Sequence, residues 1–280
     1  MSAARIRAAF ADAGVTGHLH AVDLDRPDRE VCVGADRRVV LASVFKVLLV
    51  VALHHSDLDP TTRLTLDHHR ATGPTGIGAM LDPVTMSLRD LAHLAITVSD
   101  NAAADALVDV LGLGSLNALA RDLGLRDTEV VHRAGEFTAV IAEDARPATL
   151  PAALADPVVL ARLRALDPDR TTRGTPRDLT RLLAHAWAHD GCAPVRRLMG
   201  LQVWPHRLAS GFPFDDVRVA GKTGSLPTVR NEVGVVEYPD GGRYAVAVFT
   251  RSASTAFTLP AADAVIGTAA RLAVEHLRRG

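Results

Sequence analysis

Ser43-Val44-Phe45-Lys46 places a hydroxyl and an amine three residues apart, at the head of the apolar run VFKVLLVVAL from Val44 to Leu53. Residues three apart share a face on a helix. A helix that is apolar all round is a buried one, and lysine is seldom buried unless it is paired. An amine held out of water gives up its proton more easily and can serve as a base toward a neighbouring hydroxyl. The chemistry this permits is nucleophilic attack by Ser43, with Lys46 handling the proton. The same residues also fit a helix-capping serine followed by a lysine that reaches solvent along its stem. At this point both readings stand.

Two further polar runs carry suitable groups. Ser99-Asp100-Asn101 falls between two expected helices, and Lys222-Thr223-Gly224-Ser225 ends an expected strand. Each has a plain alternative, a helix cap and a strand end. His185 and His189 are four apart on an expected helix, a metal-binding spacing, but no third ligand is near them in sequence. They are assigned a structural or surface role. His54-His55 and His68-His69 point neither way, and Gly76-Ile77-Gly78 lacks the strand–turn–helix setting of a nucleotide loop.

The three polar runs in this order form the set S-x-x-K, S-D-N and K-T-G. In this the chain resembles the class A β-lactamase and penicillin-binding-protein family of active-site serine hydrolases. The resemblance spans nearly the whole chain and includes Arg230-Asn231-Glu232 after the Lys-Thr-Gly strand. It implies Ser43 as nucleophile, Lys46 as the group that takes or relays its proton, and Ser99 as proton donor to the leaving nitrogen, aided by Lys222. It further implies that Asn101 binds substrate amides and holds Lys46, and that Thr223, Gly224 and Ser225 line the substrate site. The backbone N–H groups of Ser43 and Ser225 would form the oxyanion hole. Arg230 is an added candidate, its planar fork suiting a substrate carboxylate; a solvated surface arginine is the alternative.

One part of the family pattern is missing. The glutamate run E-x-x-L-N, which activates the deacylating water, has no counterpart. Glu136 lies about where the family places that glutamate, but Phe137-Thr138-Ala139-Val140 follows it; Glu143 is a second candidate. The resemblance implies acyl-enzyme hydrolysis on Ser43, of the β-lactam ring-opening type, while the missing run weighs against efficient β-lactam turnover. The alternatives are a cytoplasmic esterase, amidase or natural-product hydrolase on the same scaffold, and a binding protein without turnover.

The elements that must position these groups follow from periodicity. Residues 2–13 suit an amphipathic helix with Ile6, Ala9, Phe10 and Ala13 on one face, stopped by Gly14. Strands are expected at 18–24, 30–33, 217–223, 232–238 and 243–250. Asp25-Arg26-Pro27-Asp28 and Pro239-Asp240-Gly241-Gly242 turn two of the connections. Helices are expected at 85–98, 101–111, 150–166, 176–189 and 260–279. The reading is α/β (α+β): an antiparallel sheet flanked by the terminal helices, from residues 1–56 and 212–280, plus an all-helical domain over 57–211, with the site between them.

Composition excludes little but usefully. The 280 residues carry 31 basic and 32 acidic side chains, net charge -1, and are 48% hydrophobic. No basic surplus points to nucleic acid, and no run approaches the length of a membrane span. The expected partner is a small-molecule substrate; no cofactor or metal is implied. The N-terminus lacks the apolar run of a secretory signal, so a cytoplasmic location is expected unless a signal was trimmed. Cys32 and Cys192 are expected to be free, buried thiols.

Overall fold

The structure, a computed structural model, describes residues 2–67, 75–146 and 149–279. His68-His69 lie outside the described residues. The chain runs α1 (Ser2–Asp12), β1 (Val15–Asp23), β2 (Glu30–Val33) and β3 (Val39–Val40), then a 3-10 turn (Ala42–Phe45) that leads directly into α2 (Lys46–His55). β4 (Arg63–Leu66), β5 (Val84–Ser87), α3 (Leu88–Thr97), α4 (Asn101–Leu111), α5 (Leu113–Asp122), α6 (Glu136–Asp144), α7 (Leu150–Ala155) and α8 (Pro157–Leu160) follow. β6 (Arg173–Gly174), α9 (Pro176–Ala188), α10 (Ala193–Met199), β7 (Arg218–Leu226), β8 (Val229–Glu237), β9 (Arg243–Ser252) and α11 (Pro260–Arg279) complete it.

The main sheet has the order β2-β1-β9-β8-β7, antiparallel throughout. It joins the two ends of the chain, and β7 is an edge strand. Alternation along its strands separates two cores. Val236, Tyr244, Val246 and Val248 face Ile6 and Phe10 of α1 and Val265, Ile266 and Ala269 of α11. Val233, Val235, Ala245, Ala247 and Phe249 face the second core, which contains all of α2 from Val47 to Leu53. The terminal helices thus cover one face, as the patterning predicts, and α2 lies beneath the other. Gly241, at φ +92, closes the β8–β9 hairpin with its amide bonded to the Tyr238 carbonyl.

Several expectations need correction. Residues 85–98 are not one helix: Val84–Ser87 pairs with Arg63–Leu66 as a strand, and Ser87 then caps α3 by accepting from the Asp90 amide. Residues 150–166 break at Asp156-Pro157, because proline cannot continue the ladder and Asp156 caps a new turn. β7 continues through Lys222-Thr223-Gly224 to Leu226, and β8 begins at Val229. With β4, β5 and β6 inside it, the 57–211 segment is not all helical. Both cysteines are free, but only Cys192 is buried; Cys32 is half-buried. Among the described residues, no single helix is long and apolar enough to cross a membrane.

Candidate active site

Ser43 is placed by a strained turn. Ala42 before it has φ 49, a left-handed value that L-residues avoid. The turn is held from two sides. The Asn231 amide donates to the Val40 carbonyl at 2.8 Å, and the Leu41 amide donates to the Thr172 carbonyl at 3.1 Å. Gly224 of β7 packs directly against it: a Cβ there would lie 2.7 Å from the Leu41 carbonyl oxygen. That close approach is what requires glycine in Lys-Thr-Gly. Ser43 is half-buried and, among the described residues, its hydroxyl has no hydrogen-bond partner.

Lys46 opens α2 and is wholly buried. Its Nζ donates to the Ser99 carbonyl at 2.7 Å, to Asn101 Oδ1 at 2.7 Å, to the Asp100 carbonyl at 3.3 Å and to Ser99 Oγ at 3.4 Å. Loss of hydration lowers its pKa from the ordinary 10.5 to about 7, against the pull of Asp100 and Asp105. Lys222, also wholly buried, donates to Ser99 Oγ at 2.9 Å and to the Thr223 carbonyl at 2.9 Å. Burial first, then the charge of Lys46, pushes its pKa well down. One hydroxyl therefore stands between two buried amines. Ser99 itself is left-handed at φ 61.

The loop bearing Ser99 is pinned by Asp100. This carboxylate is fully buried, caps α4 by accepting from the Ala103 amide at 3.1 Å, and accepts from the Ile77 amide at 2.6 Å. Asn101 begins α4. One turn on, Asp105 accepts from the amides of Ala134 at 2.6 Å and Gly135 at 3.0 Å. That clamps the segment carrying Glu136 to α4.

Glu136 does not join the cluster. Its oxygens are taken by the Arg133 amide at 2.8 Å and Arg133 Nε at 3.3 Å, and its side chain is 43% exposed. What faces the Ser43 turn is the next residue, Phe137, whose ring stands 6.5 Å from that of Phe45. Glu143 is also elsewhere, paired with Arg164 at 2.6 Å.

Arg230 is not a free anchor either. It is buried and donates to four backbone carbonyls, of Leu226, Val229, Ala256 and Phe257. Arg207 is the guanidinium at the site, unmarked by any sequence motif. It is buried, donates to Ser225 Oγ at 2.7 Å, to the carbonyls of Gly224 at 3.1 Å and Asn231 at 3.0 Å, and pairs with Asp263 at 2.6 Å. Gln202 is likewise unmarked by any motif. It accepts from the Thr223 amide at 2.6 Å and donates to Glu232 at 2.7 Å. Burial raises the Glu232 pKa to about 7. Successive strand amides point alternately to either side. With the Thr223 amide directed off the sheet edge toward Gln202, the Ser225 amide, two residues on, points off the same edge.

A family model described as the β-lactamase enzyme family matches residues 1–277. The β-lactamase regulatory protein BlaB of Streptomyces cacaoi is 31% identical over 301 residues, covering 98% of this chain and 96% of that protein. A β-lactamase structure from Sphaerobacter thermophilus superposes at TM-score 0.78 with 26% identity, covering 100% of this chain and 97% of the other. One from Streptosporangium roseum reaches TM-score 0.82 at 18% identity, covering 100% and 99%.

Proposed function

The chain belongs to the β-lactamase enzyme family, and from that premise we propose that it is a serine hydrolase opening β-lactam-type amides through an acyl-enzyme on Ser43. The observation that carries this is Ser99 Oγ held between the buried amines of Lys46 and Lys222, at 3.4 and 2.9 Å. A merely structural lysine would pair with a carboxylate; these two meet at a hydroxyl, which suits proton transfer.

In the proposed reaction, neutral Lys46 receives the Ser43 proton as Ser43 Oγ bonds to the substrate carbonyl carbon. Charge on the carbonyl oxygen is met by the Ser43 and Ser225 amides. The carbon–nitrogen bond then breaks, and the nitrogen takes a proton from Ser99, which is resupplied from the lysine side. Lys46 is thereby returned to its neutral form. Asn101 holds Lys46 and meets substrate amide groups. Thr223, Ser225 and the charge of Arg207 beneath them receive a substrate carboxylate, the role first considered for Arg230.

A second reading is favoured by the outward placement of Glu136: efficient acylation followed by slow release, as suits a scaffold relative acting on an ester or amide, or a β-lactam sensor. A variant of PBP-A, solved as an acyl-enzyme complex with penicillin G, shares the fold at 20% identity. Turnover of a chromogenic cephalosporin combined with intact-protein mass tests both readings. A β-lactam adduct is expected in the wild type and not in Ser43→Ala. Rapid turnover supports the first reading, a long-lived adduct the second. Neither turnover nor adduct, with β-lactams and simple esters alike, would remove both.

A further inference from the structure

Three side chains able to bind a metal meet at the end of α2 remote from Ser43, and a fourth, His189, packs beside them. His55 ends α2, His185 sits in the last turn of α9, His189 follows that helix, and Cys192 ends the 3-10 turn Asp190–Cys192. Nε2 of His55 and Nε2 of His185 are 2.8 Å apart. Cys192 Sγ lies 4.0 Å from His55 Nε2, and one donor atom from each of these three falls within 4.8 Å of the others. The His189 ring stands 4.9 Å from that of His55 and 5.3 Å from that of His185, centroid to centroid. It folds over Gly191, where a Cβ would meet the ring at 3.0 Å. Sequence spacing offered His185 and His189 but no third ligand; the fold supplies His55 from 130 positions away.

The distances fit a tetrahedral ion. Bonds of about 2.0–2.1 Å to nitrogen and about 2.3 Å to sulfur put ligand atoms roughly 3.3–3.7 Å apart around zinc. The observed 2.8 and 4.0 Å bracket that range, so small side-chain rotations suffice. An imidazole pair sharing one N–H would account for the short contact, but not for a buried thiol at the same point.

The other such cluster, His20, Glu30 and Cys32, makes an instructive contrast. There the Arg177 guanidinium already supplies the cation, bonded to Glu30 at 2.5 Å and standing 3.2 Å from His20 Nε2. At His55 the nearby Arg196 spends its Nη1 on the carbonyls of Ala186 and His189 instead, at 2.7 and 3.0 Å.

We propose that His55, His185 and Cys192 bind one zinc ion or a similar divalent transition metal, with His189 packed beside them. Mixed imidazole and thiolate donors select that class over calcium or magnesium. Binding releases the Cys192 thiol proton to solvent. The ion would fasten the end of α2 to α9. It would play no part in the chemistry at Lys46, which lies nine residues back along the helix, about 13 Å at 1.5 Å per residue. The proposal stands independently of the hydrolase reading.

The test titrates the metal-stripped full chain with cobalt(II) and zinc(II). One equivalent of cobalt should bind with a near-ultraviolet thiolate charge-transfer band, and Cys192→Ser should abolish that band. His55→Gln, at an exposed position that leaves the core untouched, should retain the native circular dichroism and weaken zinc binding about 100-fold or more, beyond what loss of an outer partner does. Zinc at about 100 times its dissociation constant should raise the Tm of the wild type by roughly 5–10 °C and that of His55→Gln by far less. Substoichiometric binding, a cobalt spectrum without the charge-transfer band, or equal zinc affinity in wild type and His55→Gln would overturn the proposal.

Discussion

Gly224→Ala tests whether the close approach of β7 to the Ser43 turn matters to the reaction. The added Cβ would lie 2.7 Å from the Leu41 carbonyl oxygen, 3.1 Å from Val44 Cγ2 and 3.3 Å from Ala42 Cβ. The first is about 0.7 Å short of ordinary contact, and its partner is backbone, which cannot rotate aside. The strand and the turn must separate by roughly that amount. The separation opens the gap between the Ser43 and Ser225 amides, the two donors assigned to the oxyanion. A misplacement approaching 1 Å costs about 100-fold in rate, and loss of one oxyanion donor about 100- to 1,000-fold. Overpacking of this kind costs about 1–3 kcal/mol of stability, so the protein should still fold. Single-turnover acylation by a chromogenic cephalosporin should therefore slow about 100-fold, with a fall in Tm of a few degrees. Gly114→Ala is the control, because nothing lies within 4 Å of its Cβ and it sits in α5. It should leave the rate unchanged and stabilise slightly. A folded Gly224→Ala protein acylating within about twofold of wild type would refute the reasoning, since an effect of about 100-fold is what the displacement demands.

The acylation rate should rise with pH through about 7, because the neutral form of Lys46 is the proposed base and its pKa is lowered to about 7; a flat profile across that region, by stopped flow, would remove Lys46 from that role. Stability carries the same sign: between about 7 and 10.5 the unfolded lysine holds a proton that the folded one does not, so stability contributed by this group rises with pH over that window and is flat below it. Glu136→Gln should change deacylation by no more than about twofold; a loss of 100-fold or more, the scale of a general base, would return Glu136 to the site. Asp100→Ala strips the cap of α4 and leaves the Ile77 amide unbonded, at about 2–4 kcal/mol together. Its melting temperature should drop by roughly 5 °C or more, while Asp100→Asn, which keeps one acceptor oxygen, should lose less; equal melting of wild type and alanine variant would contradict this.

The parts of the site legible in the sequence are those whose signal is local. Ser43 and Lys46 lie within one turn on an unbroken apolar run, and Ser99-Asp100-Asn101 and Lys222-Thr223-Gly224 are contiguous. The parts that were not legible are assembled across elements. Arg207 reaches Ser225 from a segment with no strand or helix pattern, and Gln202 reaches the Thr223 amide from just before it. Arg230 looked available because composition cannot show where a side chain ends; four carbonyls consume it. Glu136 lies in the expected segment, but the register of its helix turns Phe137 inward and the carboxylate toward Arg133. The left-handed backbones of Ala42 and Ser99 carry no glycine to announce them. In the fold, the terminal helices and the sheet came through alternation and period. The β4–β5 pairing was hidden because Val84 and Leu88, four apart, begin an apolar spacing through Leu91 and Ala95 that also suits a helix.

The pairing of β1 with β9 sets Val15 opposite Ser252. During synthesis, then, β1 has its central neighbour β9 only after β2 through β8 have emerged. Until that moment α2, the most apolar segment, lacks the sheet face that covers it, and the Ser43 turn lacks Asn231 and Gly224 to hold it. Such long-range closure slows folding and leaves sticky surface exposed for longer. Ser43 and Lys46, the proposed nucleophile and its base, are therefore made early but can become a working pair only once the sheet has closed. A chain cut short before β9 would carry the whole Ser-x-x-Lys sequence and no reactive serine.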